Sequence, residues 1–156
     1  MTKYHLDELD IAILRALSEN ARRPYLEIAR ECRVSGAAVH QRIQRLTSLG
    51  IIKGSETHID PASVGYETCA YMGFFLNDPA QFDSVIETLK QIPEVVECHF
   101  TTGKYDLLIK IHARNNEHLF ELIHANFQNL GTTRTETLIS FRQEFRRSLP
   151  ITFNND

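Results

Sequence analysis

No apolar run in the 156-residue sequence approaches the roughly 20 residues that a membrane-crossing helix needs. The opening stretch, Met1-Thr2-Lys3-Tyr4-His5, has no apolar core of the signal-peptide kind, so the chain is expected in the cytoplasm. Cysteine is scarce. Cys32, Cys69 and Cys98 are far apart and odd in number, each within an apolar segment, and are expected as reduced core residues rather than a disulfide framework. The seven histidines show no zinc-ligand spacing with cysteine, and no H-E-x-x-H occurs, so no metal site is expected. A P-loop, G-x-G-x-x-G and G-x-S-x-G are all missing, which removes the usual phosphate cradles and the strained serine elbow. No cofactor is expected. There is no internal repeat and no low-complexity tract.

What is present is the composition of an ordinary globular protein, 42% hydrophobic and 24% charged, long enough for one domain or two small ones. The net charge of −3 rules out a polyelectrolyte binder, but it is unevenly spread. Residues 1–60 hold nine basic against eight acidic side chains, and the remainder holds eight against twelve. A nucleic-acid face is therefore permitted on the first part.

From Tyr25 to Gly50 the sequence predicts two short helices and a tight turn. The first runs from Tyr25 to Cys32, with Leu26, Ile28, Ala29 and Cys32 inward, and Arg33-Val34-Ser35 makes the turn. The second starts at Gly36, where Ser35 stands in the N-cap place, and repeats Val39, Ile43, Leu46 and Leu49 at helical spacing until Gly50 stops it. Its outward face reads Ala37, Ala38, His40, Gln41, Arg42, Gln44, Arg45, and no carboxylate occurs from Ser35 to Ser55. Small residues, then amides, then arginines suit a helix whose N-terminal end enters a major groove while later residues reach phosphates. Upstream, Asp7 and Asp10 are placed to start a further helix whose stripe is Leu9, Ile13, Leu14 and Leu17, ending near Asn20.

Ile51–Ile59 is β-prone, and a domain boundary is expected between about Ile59 and Glu67. The rest alternates strand and helix. The expected strands are Thr68–Leu76, Val95–Thr102, Tyr105–Ala113 and Thr133–Arg147. The expected helices are one opened by Asp78-Pro79, with Phe82, Val85, Ile86 and Leu89 inward, and Asn115–Leu130, with Leu119, Phe120, Ile123, Phe127 and Leu130 inward. The order βαββαβ is that of a ferredoxin-like split βαβ, so the whole is an α+β chain: residues 1–60 helical, 67–150 ferredoxin-like, and 151–156 a frayed tail. Thr68–Leu76 is apolar on both faces, which points to a second subunit covering the open sheet face.

Together the halves resemble the Lrp/AsnC, or feast/famine, transcription regulators. The resemblance is carried by Leu6-Asp7, Asp10 and Ile13-Leu14; by Ser35, Val39, Arg42, Ile43, Leu46, Gly50 and Ile52; by Gly65; by Thr102-Gly103-Lys104-Tyr105-Asp106; and by Thr135-Glu136-Thr137. It implies an N-terminal helix-turn-helix domain on double-stranded operator DNA. It also implies a C-terminal domain that forms homodimers, assembles them to octamers and senses an amino acid or related metabolite. Arg33 departs from the glycine usual in that turn, and Thr47 stands where an acidic residue is common.

On this reading the DNA-binding candidates are Ser35, Ala37, Ala38, His40, Gln41, Arg42, Gln44 and Arg45. Gln41 can pair bidentately with adenine, the alanines can touch thymine methyls, and the arginines suit phosphates. For Arg42 an ion pair with an acid on the first helix is the alternative. The effector candidates are Gly103, Lys104, Tyr105, Asp106, Thr135 and Thr137: backbone amides at Gly103 for a carboxylate and Asp106 for an ammonium. Two rival readings stand beside the regulator. One is a tetrapyrrole (sirohaem) decarboxylase-like enzyme using His99, His112 and Arg134. The other is an architectural DNA-wrapping protein with little sequence choice.

Overall fold

Asp7 ends the extended chain and starts helix α1 (Glu8–Glu19) in the computed structural model, which describes residues 4–128 and 130–152. Its carboxylate accepts from the Asp10 N–H at 2.9 Å, and the Asp10 carboxylate accepts from the Asp7 N–H at 3.2 Å, a reciprocal capping box. Helix α2 spans Tyr25–Cys32 and α3 Gly36–Ser48, the latter capped by Ser35, whose Oγ accepts from the Ala38 N–H at 3.1 Å. Ile13, Ala16, Ile28, Ala29, Val39, Ile43 and Leu46 close the core of these three helices. Ile13, Ile28 and Leu46 have no exposed surface, and each contributes about 1.5–3 kcal/mol by burial.

Helices α2 and α3 end in the same hydrogen-bond pattern. After α3, the Gly50 N–H donates to Thr47 and the Ile51 N–H to Leu46, with Gly50 at φ +70°. After α2, Arg33 donates to Arg30 and Val34 to Ala29, with Arg33 at φ 56° and ψ 42°. A left-handed arginine costs about 1 kcal/mol against glycine.

The second unit holds strand β1 (Thr68–Leu76), helix α4 (Phe82–Lys90), strands β2 (Val95–Phe100) and β3 (Leu107–Ala113), helix α5 (Asn116–Leu122) and strand β4 (Thr132–Ser140). The sheet order is β2-β3-β1-β4, every neighbouring pair antiparallel, which is the ferredoxin-like arrangement. Ala70, Met72 and Phe74 of β1 and Leu107, Ile109 and Ile111 of β3 are buried on one face under α4 and α5. Cys69, Tyr71, Gly73 and Phe75 alternate to the other face.

Several expectations change. Ile51–Ile59 forms no strand, because the Ile51 and Ile52 N–H groups both serve the Leu46 carbonyl and their side chains pack on the helical core. Leu26 is 65% exposed rather than inward; it lies over Gly36, where an added Cβ would come within 2.9 Å of it. On α1 the buried residues are Asp10, Ile11, Ile13 and Ala16, while Leu9, Leu14 and Leu17 are only partly covered. Past Leu122 the fifth helix changes to a π turn, Ile123–Phe127, so Leu122 is buried and Phe120 is left 60% exposed against His124. Cys98 sits exposed on the edge strand β2. Strand β4 stops at Ser140, and the stretch from Phe145 groups with the residues up to Thr57 rather than with His58–Glu144. The tail is tied at its described end, where the Ile151 carbonyl accepts from Arg15 Nε at 2.7 Å; residues 153–156 lie outside the described residues.

Replacing Arg33→Gly relieves the left-handed penalty at some cost in unfolded-chain entropy. The expected gain is about 0.5–1 kcal/mol for the helical unit. Urea unfolding checks it, and a loss of stability would mean that the Arg33 side chain contributes more than its backbone costs.

Candidate functional sites

The exposed side of α3 carries Ala37, His40, Gln41, Gln44 and Arg45, with Ser35 at its start and Ala38 and Arg42 half-buried. The fold thus groups the eight sequence candidates at one surface, on a single helix and its cap. Tyr25, at the start of α2, packs its ring 6.1 Å from that of His40 and joins this surface; nothing in the sequence spacing singled it out.

The two arginines are not free. Arg42 Nη1 binds the Asp7 carboxylate and lies 3.0 Å from Asp10 Oδ1, while Arg45 Nη1 lies 3.1 Å from Asp10 Oδ2. The Asp10 side chain is 1% exposed and that of Arg45 47%. The ion-pair alternative for Arg42 therefore holds in the structure, and it extends to Arg45. A buried carboxylate must be paired, so this network fixes α3 against α1. The Asp10 N–H, followed by the Arg42 guanidinium, holds the Asp7 carboxyl below the usual carboxylate range despite partial burial. Arg42 is raised in turn by its bonds to Asp7 and Asp10.

The second site lies around the β2–β3 hairpin. Tyr105 covers Gly73 of β1 so closely that a Cβ there would meet its ring at 2.3 Å. Its hydroxyl donates to Glu136 Oε2 at 2.8 Å, Lys104 Nζ donates to the same oxygen at 2.6 Å, and Arg134 Nη2 donates to Oε1 at 2.5 Å. The Tyr105 ring meets Phe75 edge-on at 5.4 Å, and the Arg134 guanidinium lies 5.6 Å over Phe75. The Lys104 ammonium and the Tyr105 hydroxyl pull the Glu136 carboxyl down, and that carboxylate raises both Lys104 and Tyr105.

The other candidates fall elsewhere. Asp106 Oδ2 accepts from the Leu76 N–H at 2.9 Å, and the Asp106 N–H donates to the Phe74 carbonyl, so its carboxylate pins the end of β1. Gly103 turns without a positive φ. Thr135 and Thr137 pair with Phe74 and Met72 and so alternate to the helix-covered side, away from Tyr105 and Glu136. Thr135 instead lines a cavity of about 190 Å³ with Ile123, Phe127, Gln128 and Thr133, which Arg134 also borders. Glu136 and Gly73 belong to the Tyr105 cluster and were not among the sequence candidates. A glycine inside an apolar strand marks a close approach, and the parity of β4 sets Glu136 apart from its threonine neighbours.

His99 stands opposite Leu108, four residues along β3 from His112, which places the two about 13 Å apart. His112 is buried enough to lower its pKa, and its Nδ1 has no partner among the described residues; Arg134 is held by Glu136. The three residues of the tetrapyrrole reading do not converge within one copy.

Asp7 is depressed in the folded state, so its contribution is complete above the ordinary carboxylate range and is lost as pH falls through its folded value. The melting temperature of the helical unit is expected to drop over that acidic window, and less steeply in Asp7→Asn, which keeps a capping oxygen. Calorimetry from neutral to acid pH checks this; equal slopes in both proteins would remove Asp7 as the cause.

Residues 6–47 match the model of the AsnC-type helix-turn-helix domain, and residues 69–150 that of the Lrp/AsnC ligand binding domain. The regulatory protein AsnC of Haemophilus influenzae is 34% identical over 147 residues, covering 94% of this chain and 98% of that one. The regulatory protein AsnC of Escherichia coli is 32% identical over 150 residues, covering 96% and 99%. The solved structure of Escherichia coli AsnC superposes with a TM-score of 0.87 at 32% identity, over 94% of this chain and 99% of that one.

Proposed function

The chain belongs to the Lrp/AsnC family of transcriptional regulators, and from that premise we propose that it reads operator DNA with α3 and responds to an amino acid or related metabolite through its second unit. The observation that supports the DNA reading is the exposed, carboxylate-free face of α3, whose arginines are anchored by acids from α1. Gln41 is the adenine reader, Ala37 and Ala38 meet thymine methyls, and Ser35, His40 and Gln44 flank them. Arg45, exposed and paired through one nitrogen only, reaches phosphate; Arg42 supports it from the half-buried position.

For the effector, the cluster on the open sheet face takes over the roles first given to Gly103 and Asp106. An α-amino acid offers a carboxylate to Lys104 and Arg134 and an ammonium to Glu136, with Tyr105 as a lid on Gly73. Thr135 and Thr137 then serve a neighbouring copy's site or none. Homodimers, and octamers built from them, are the assemblies in which the open face of the sheet is covered. The protein is read as a non-enzyme that acts where the DNA is, in the cytoplasm. No helix among the described residues is long and apolar enough to cross a membrane.

Two expected outcomes follow from these roles. On a duplex recovered from a randomised pool, Gln41→Ala should relax preference at one base pair by ~1–3 kcal/mol, and Arg45→Ala should lower the salt slope by about one on every sequence. Wild-type binding in both variants would remove α3 as the reader, and equal wild-type affinity for all sequences would favour the architectural reading. In a thermal-shift screen of the common amino acids, a hit should lose its shift in Glu136→Gln and should change the mass measured by light scattering. A hit that survives Glu136→Gln places the pocket elsewhere.

A further inference from the structure

The network at the base of α3 does more than hold two helices together. Asp7 and Asp10 face Arg42 and Arg45, two acids against two bases, so the arginines of the DNA face are electrostatically balanced from behind. Asp10 is the shared member: each of its oxygens takes one arginine, at 3.0 and 3.1 Å, and it is almost fully buried. Arg45 uses one nitrogen of its five-donor fork there, and its side chain is 47% exposed.

Resting on the reading of α3 as the DNA helix, we infer that Asp10 is a positioning residue for DNA specificity. It aims Arg45 along one direction and cancels part of the charge that would attract any duplex. Non-specific affinity follows the number of phosphates neutralised, and discrimination is the ratio of specific to non-specific binding. A carboxylate behind the reading face lowers the first and raises the second. A purely structural Asp10 has the opposite signature: losing it loosens the fold and weakens binding to every sequence alike.

The opposite signs make the test. The full-length chain and its Asp10→Asn variant are titrated by fluorescence anisotropy over a range of salt. Two probes are used: a duplex recovered by the wild type from a randomised pool, and a scrambled duplex of equal length. In Asp10→Asn the scrambled duplex is expected to bind about threefold tighter at 0.1 M salt, with a slope steeper by about one. The ratio of recovered to scrambled affinity is expected to fall about tenfold. Ile13→Val, which loosens the same core without touching charge, should leave slope and ratio at wild-type values. Asp7→Asn, on the half-exposed partner of Arg42, keeps the buried carboxylate in place and should move the same readouts the same way by a smaller factor; it decides the matter if Asp10→Asn does not fold. Wild-type slope and ratio in the folded variants overturn the inference while α3 remains the reader. A wild-type chain that recovers no duplex from the pool overturns the reading of α3 itself.

Discussion

A carboxylate with 1% of its side chain exposed cannot stay charged without partners, and Asp10 has them on two helices. It accepts the Asp7 N–H at the start of α1 and the guanidinium groups of Arg42 and Arg45 on α3. The exposed face of α3 is positioned in part by these bonds. Two charged bonds to Asp10 and the packing of Val39, Ile43 and Leu46 with Ile13 and Ile28 together set the rotation of α3 about its axis. The same bonds leave Ala37, Gln41 and Gln44 facing outward. One residue thus ties helix initiation, core packing and the surface chemistry of a different helix.

In the second unit the corresponding constraint is a contact without room. Gly73 interrupts an otherwise side-chain-rich strand, and the Tyr105 ring fills the space its missing Cβ leaves. That approach brings the hairpin down on the open sheet face, where the tyrosine hydroxyl, Lys104 and Arg134 converge on Glu136. Asp106 completes the placement from the other side of the hairpin by accepting the last β1 amide. Asp106 thus braces the end of β1 through one carboxylate oxygen, and Glu136 is the centre of the charge cluster.

Helices α2 and α3 show how much freedom local rules leave. Both end in the same pair of backbone bonds, one through glycine and one through arginine. The turn geometry belongs to the fold, and the residue that occupies it only changes its cost. The unexpected end of the fifth helix follows the same logic: the core asks for Phe127 and Leu122, and a π turn supplies the phase that regular spacing cannot.

The sequence by itself determined what depends on near neighbours. Helix starts at Asp7, Ser35 and Asn115, the stop at Gly50, the strands and the order βαββαβ all follow from capping chemistry and apolar spacing, which act over a few residues. The outward face of α3 was legible for the same reason, since its inward stripe is periodic. Three things were decided only by the tertiary structure. The first is the burial of Asp10 between arginines 32 and 35 positions away. The second is the gathering of Lys104, Tyr105 and Glu136 across strands, with Thr135 and Thr137 on the opposite side. The third is the fate of Ile51–Ile59, whose strand propensity goes unused. A propensity says what a segment can pair with, but only the folded chain decides which partner is within a hydrogen bond's reach.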